Sequence, residues 1–301
     1  MHIPVLKNEV LEIFKNINSG IFIDATLGYA GHSKAILEQN NALKLIACDQ
    51  DEFAILNSKK NLSEYENRFK IFHTNYENII NYLSEDEVKN TRAILADIGV
   101  SSVQLDYDER GFSFTSSKLD MRMNKNQELD AFYVVNNYSL KELTNILINY
   151  AEFNEKLASD IAKNIITKRP INSALELSNI IGDAKLNSRS VSLKTLVFQA
   201  IRIEVNKELD VLKNFLKSLE KLQNCYVLII SFHSLEDKIV KEYFKKWSLN
   251  CICPEYAIRC ECSNNNALGK IITKKPIIPS KEEIKSNSRS SCAKLRVFYI
   301  K

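Results

Sequence analysis

The sequence has no apolar run approaching the roughly 18 unbroken residues of a membrane-spanning helix, so a membrane partner is not expected. Its start, Met1-His2-Ile3-Pro4-Val5-Leu6, lacks the basic opening, apolar core and small-residue cleavage site of a signal peptide. A cytoplasmic location is therefore expected. Internal repeats are absent, which excludes a repeat architecture. Nor do the glycines spell G-x-G-x-x-G after a strand-like run, which disfavours a dinucleotide cofactor.

What is present fits an ordinary globular protein. The 301 residues are 45% apolar and 26% charged, enough chain for one large α/β domain and a smaller one. The net charge of +4 is unevenly spread. Residues 238–301 hold 14 Lys and Arg against 5 Asp and Glu, whereas residues 1–237 are net acidic. A basic C-terminal portion suits a polyanionic partner, or is simply a solvated face.

Short apolar runs alternate with helical periods over the first hundred residues. Strands are expected at 21–23, 45–48, 69–72 and 93–96, with helices at 32–39, 51–62 and 76–83. This alternation predicts an α/β fold, a doubly wound Rossmann-like parallel sheet covered on both faces. Residues 107–206 carry only helical periods, at 140–149, 153–168, 174–181 and 193–204. They read as an inserted all-helical domain, leaving 1–106 and 207–301 as a discontinuous sheet domain. A helix over 208–222, a strand over 226–230 and a terminal strand over 294–300 complete the sheet.

Three of the strands end in Asp24, Asp49 and Asp97, and a fourth runs into Ser231-Phe232-His233. Ligands of open parallel sheets bind outside the carboxyl ends of the strands. The loop from Asp24 to Ser33, with Gly28, Ala30 and Gly31, follows the first strand and opens a helix. Small residues there admit a ligand close to the backbone, and a helix N-terminus favours a negative group. Asp49 stands where an acidic residue would hold ribose hydroxyls. The plain alternative is that the glycines only serve a tight turn.

Longer strings are more specific. They are His2-Ile3-Pro4-Val5-Leu6, residues 97–105 (DIGVSSVQL), 110–114 (RGFSF), 119–123 (LDMRM), 198–209 (FQAIRIEVNKEL) and 231–237 (SFHSLED). In this order they resemble the bacterial 16S ribosomal RNA cytosine-N4 methyltransferase family, known as RsmH or MraW, nearly from end to end. The resemblance implies a class I methyltransferase sheet with an inserted helical substrate-recognition domain, and S-adenosylmethionine as cofactor. It implies cofactor contacts at Ala30, Gly31, His32, Asp49, Tyr76, Asp97 and Gln104. Its substrate is the exocyclic N4 of a cytidine in the decoding region of 16S rRNA in the small ribosomal subunit. A monomer or homodimer is compatible with it. Three strings depart from the family pattern: Ala30-Gly31-His32 where Gly-Gly-His is usual, Tyr150-Ala151-Glu152-Phe153 for Tyr-Gly-Glu-Glu, and residues 287–293, which lack one arginine.

An exocyclic amine is a poor nucleophile because its lone pair is delocalised into the ring. Catalysis then rests on alignment and on acceptors that draw the amine hydrogens. Asp97, or the carbonyls of Ile98 and Gly99, are the expected acceptors, with Ser101 and Ser102 secondary; equally, Asp97 could serve the cofactor alone. Phe112, Phe114 and Phe232 could stack on a flipped base or be core residues. Arg110, Arg122 and Arg202 could meet phosphate or pair with Asp108, Asp120 or Glu204. His32 and His233 read as loop organisers, with His233 also near the substrate. Cys251, Cys253, Cys260 and Cys262 could hold a tetrahedral zinc ion, but C-x-C is not the usual C-x-x-C knuckle. Reduced thiols without a metal are expected. Competing readings are a nicotinamide oxidoreductase, a non-catalytic RNA-binding module, or a methyltransferase for another RNA or DNA amine.

Overall fold

The computed structural model describes residues 4–100, 105–185, 191–254 and 259–301. The chain forms two compact units, one of Met1–Gly99 with Leu209–Lys301 and one of Val100–Glu208.

The first unit is built on a seven-stranded sheet. Its strands are β1 (Gly20–Asp24), β2 (Leu43–Asp49), β3 (Phe69–His73), β4 (Thr91–Asp97), β5 (Cys225–Ser231), β6 (Gly269–Ile271) and β7 (Lys294–Ile300), in the order β3-β2-β1-β4-β5-β7-β6. Pairing is parallel from β3 to β5; β7 runs antiparallel between β5 and β6. The architecture is Rossmann-like, and the terminal strand expected over 294–300 is the one that runs reversed.

Adjacent residues of the central strands point to opposite faces, and both faces are buried. Ile23, Ile46, Ile94, Ala96, Val227 and Ile229 lie in one apolar cluster; Phe22, Leu45, Ala93, Leu95, Leu228 and Ile230 lie in another. That two-sided burial explains the unbroken apolar runs. One face is covered by helix α10 (Glu208–Leu219) through Leu212, Phe215, Leu216 and Leu219, and by α11 (Ser234–Trp247) through Val240, Phe244 and Trp247. The other is covered by α1 (Lys7–Phe14) and α2 (Gly31–Gln39), through Val10, Phe14, Ile36 and Leu37. Helices α3 (Glu52–Asn61) and α4 (Glu85–Asn90) complete the first half of the sheet. The helix expected at 76–83 is a 3-10 segment, Tyr76–Tyr82.

Among the described residues, the second unit contains helices α5 (Ala131–Asn137), α6 (Leu140–Ala151), α7 (Glu155–Thr167), α8 (Ala174–Ile181) and α9 (Leu193–Asn206). Leu143, Leu147, Ala158, Ala162, Ile165 and Ile201 are fully buried in its own core. Side-chain caps fix the helix starts: Ser139 with Glu142 forms a capping box, and Asn154, Ser173 and Ser192 each accept a first-turn N–H.

Candidate active site at the carboxyl edge of the sheet

Strands β2, β1 and β4 are neighbours, so Asp49, Asp24 and Asp97 end three adjacent strands at one edge. The loop after β1 is tied to both flanking strands by backbone bonds. Leu27 N–H donates to Cys48 O at 3.0 Å, and Ala25 N–H to Leu95 O at 2.8 Å.

Asp24 is the internal anchor of this loop. Its carboxylate accepts from Thr26 N–H at 3.2 Å and from Ser33 Oγ at 2.6 Å, joining the strand end to the first turn of α2. Burial raises its pKa above the ordinary carboxylate range, against the pull of the Ser33 hydroxyl and His32. Asp49 organises the same loop from the other side. One oxygen accepts from Gly28 N–H at 2.8 Å and the other from Asp51 N–H at 2.9 Å. Burial pushes its carboxyl up to about 6, and the two N–H donors only partly offset this. Each oxygen keeps a further lone pair. Ser58 Oγ and Asn61 Nδ2, on α3, hold the carbonyls of Gly28 and Tyr29.

Ala30 is buried and left-handed (φ 63, ψ 26), and its side chain does not cap α2. The left-handed region suits glycine and costs an alanine about 1 kcal/mol, so the loop holds this shape against a local penalty. Gly31 opens α2 beneath Pro4: a Cβ on Gly31 would come within 2.6 Å of the Pro4 ring. His32 is 8% exposed. Its Nε2 lies 3.7 Å from Asp97 Oδ2, beyond a hydrogen bond. Among the described residues neither His32 Nε2 nor Asp97 Oδ1 has a hydrogen-bond partner, although both atoms are buried.

Asp97 is positioned through its backbone, whose N–H donates to Thr26 Oγ1 at 2.7 Å. Tyr76 begins the 3-10 segment after β3, its ring edge-on to Phe215 at 5.1 Å. Phe232, after β5, lies against Gly99, whose φ of 141 and whose contact with that ring leave no easy place for a side chain. His233 is the N-cap of α11: its Nδ1 accepts from Glu236 N–H at 3.3 Å, and the buried Glu236 carboxylate accepts from the N–H groups of Phe232 and His233. Glu236 therefore shapes the β5 turn, a role not assigned from sequence; its place three residues after the cap is the capping-box signal. Ser101, Ser102 and Gln104 lie outside the described residues.

The remaining candidates belong to the second unit. Arg110 donates to the carbonyls of Arg122 and Met123 at 3.1 and 3.0 Å. Arg122 forks onto Asp120 at 2.7 and 3.0 Å and donates to Gln127 O. Arg202 pairs with both oxygens of Glu208 at 2.9 Å, not with Glu204. Phe112 is buried in the core of the unit, while Phe114 packs edge-on to Phe198 at 4.8 Å. Asn206 ties two of the strings that carry the family resemblance, accepting from Met123 N–H and donating to Met121 O, each at 2.8 Å.

Elsewhere in the first unit the sulfurs of Cys251, Cys253, Cys260 and Cys262 all lie within 4.8 Å of one another, and none is in a disulfide.

A family model, the MraW methylase family, matches residues 1–301. The chain is 55% identical to Ribosomal RNA small subunit methyltransferase H of Campylobacter jejuni, covering 99% of this chain and 96% of that protein. It is 56% identical to the proteins of the same name from Campylobacter concisus, over 100% and 98%, and Aliarcobacter butzleri, over 99% and 98%. With a match over its whole length and more than half its residues shared with these relatives, the chain belongs to the MraW methylase family.

Proposed function

We propose that the chain transfers the methyl group of S-adenosylmethionine to the exocyclic N4 of a cytidine in the decoding region of 16S rRNA, in the small ribosomal subunit of the cytoplasm. Membership of the MraW family makes it a methylase, and the names of its relatives support small-subunit rRNA as substrate. One observation carries the reading at the site. Asp97 Oδ1 and His32 Nε2 are buried polar atoms without partners among the described residues. Such atoms are normally satisfied, so a pair of them beside the strand ends points to a ligand.

The surroundings suit that cofactor. Asp49 retains lone pairs for two ribose hydroxyls. The first turn of α2, uncapped by any side chain, offers N–H groups to a carboxylate. Ala30, Gly31, His32, Tyr76 and Gln104 complete the set that the family resemblance implies. S-adenosylmethionine supplies an electrophilic methyl group.

The protein's own work is alignment and acceptance of a proton. The Asp97 carboxylate, with the carbonyls of Ile98 and Gly99, draws the hydrogens of the amine, raises electron density on nitrogen and takes the released proton. Ser101 and Ser102 assist. Phe232 stacks on the flipped base beside Gly99, and His233 holds that turn. The Val100–Glu208 unit serves RNA recognition. Arg110 and Arg122, bound to groups within that unit, act by keeping its 110–129 segment in shape around Phe112, and Arg202 acts by fixing Glu208. The basic C-terminal portion adds attraction for phosphate.

Asp97→Asn tests the assignment. Turnover on small subunits lacking the modification should fall at least about tenfold, with the melting curve unchanged. Undiminished methylation would remove the acceptor role. Weaker cofactor binding with normal turnover at saturation would restrict Asp97 to holding the cofactor.

A further inference from the structure

We infer that Cys251, Cys253, Cys260 and Cys262 bind one structural zinc ion as four thiolates. The cluster lies between α11 and β6, away from the residues assigned to catalysis in sequence and in role.

The sulfur spacing is the first support. Cys251 and Cys260 are 3.7 Å apart, Cys260 and Cys262 3.6 Å, and Cys262 and Cys251 3.7 Å. A zinc ion with four sulfurs at about 2.3 Å sets them about 3.8 Å apart along the edges of its tetrahedron. Disulfide sulfurs would be bonded at about 2.05 Å, and these cysteines are free. With all four sulfurs within 4.8 Å of one another, the group has the size of a tetrahedral cage.

The backbone around the sulfurs is the second. Each C-x-C pair sends the N–H of its middle residue to a sulfur of the other pair. Ile252 N–H donates to Cys262 Sγ and Glu261 N–H to Cys253 Sγ, both at 3.3 Å. Four thiolates on a divalent ion carry a net double negative charge, and N–H donors aimed at sulfur disperse it. The reciprocal arrangement explains how C-x-C can replace C-x-x-C: the missing residue of each knuckle is compensated by the opposite pair.

The third is the need for a staple. No helix or strand stands between Trp247 and Gly269 among the described residues, and Ile252 is 60% exposed rather than packed in a core. Ser263 and Asn264, directly after Cys262, are both left-handed, at φ 62 and 51. Asn266 closes the base of the loop, its N–H and side chain donating to Asn250 O and its side chain also to Cys262 O. A loop this long has a large ordering entropy to offset. A bound metal supplies that stabilisation directly.

The test uses the full chain, purified without chelator under a phosphine reductant. Elemental analysis should find one zinc per chain, and X-ray absorption at the zinc edge should show a shell of four sulfurs. Cys253→Ser with Cys260→Ser should lose the zinc while far-ultraviolet circular dichroism keeps the helical signal of the rest of the chain. If the double variant does not fold, cobalt substitution of the unaltered protein replaces it, with the intense visible bands of a tetrahedral tetrathiolate expected. Absence of zinc, a nitrogen or oxygen shell, iron in its place, zinc retained by the folded double variant, or an octahedral cobalt spectrum would each overturn the assignment.

Discussion

Thr26 Oγ1 accepts the backbone N–H of Asp97 at 2.7 Å, linking two residues 71 positions apart. Through this bond the loop after β1 sets the end of β4, and the side chain of Asp97 inherits its position from Thr26. Thr26→Val keeps the shape and removes the acceptor. Denaturant unfolding should show a loss of about 1 kcal/mol, and titration calorimetry a weaker affinity for S-adenosylmethionine. Unchanged affinity would show that the bond serves only the fold.

With Asp49 in the proposed cofactor site, binding should be sensitive to mild acid. Its carboxyl is raised to about 6 by burial, against about 3.9 in an unfolded chain. In the ligand-free protein it therefore favours folding below the unfolded value, a contribution lost as pH rises through about 6. Binding has the opposite sign, because ribose hydroxyls are best accepted by the ionised form. Affinity for S-adenosylmethionine should decline as pH falls through about 6, and Asp49→Asn should abolish that slope. Calorimetry across this range decides it.

Asn206 is predicted to be the most sensitive polar position of the helical unit. It bonds to Met123 N–H, Met121 O and Arg202 O. Asn206→Ala removes these three side-chain bonds at a cost of about 1–3 kcal/mol. Limited proteolysis should then cut near residues 121–129 sooner than in the unaltered protein. Equal cleavage rates would refute the clamp.

Asp237 holds Arg296 of β7 with bonds of 2.6 and 3.1 Å and lies 3.4 Å from Lys294. Burial alone would raise its pKa, but the two cations outweigh it and hold the carboxyl below its ordinary range. Its stabilisation is thus full above the unfolded value and is lost as pH falls through the lower folded one. Asp237→Asn leaves Arg296, only 8% exposed, poorly compensated, at about 3 kcal/mol. Urea unfolding near neutrality and in acid should show the deficit only near neutrality.

The central strands were legible because burial on both faces leaves an apolar run, and a polar residue ends each run at the carboxyl edge of the sheet. Asp24, Asp49 and Asp97 were found in this way. Helix α11 was not read, since its cap is a histidine rather than Ser, Thr, Asp or Asn; its remaining signals are Glu236 three residues on and the spacing of Val240, Phe244 and Trp247. Strand β6 has three residues, too few for any period. Arg202 misses Glu204 because residues two apart on α9 face different ways, and it meets Glu208 because Lys207 is left-handed (φ 51) and ends α9 there. Such a turn of the backbone has no signature in residue type. The cysteines were visible as a cluster, but their convergence depends on how two pairs face each other across a gap in sequence.

Strands β4 and β5 are hydrogen-bonded neighbours, yet the segment joining them contains the whole Val100–Glu208 unit, whose last residue opens α10. The sheet's ladder is closed by residues on either side of that unit and by none within it. The connection is therefore a place where length and composition can change without disturbing strand pairing. Evolution can refit such a unit while the ends of the strands stay as they are.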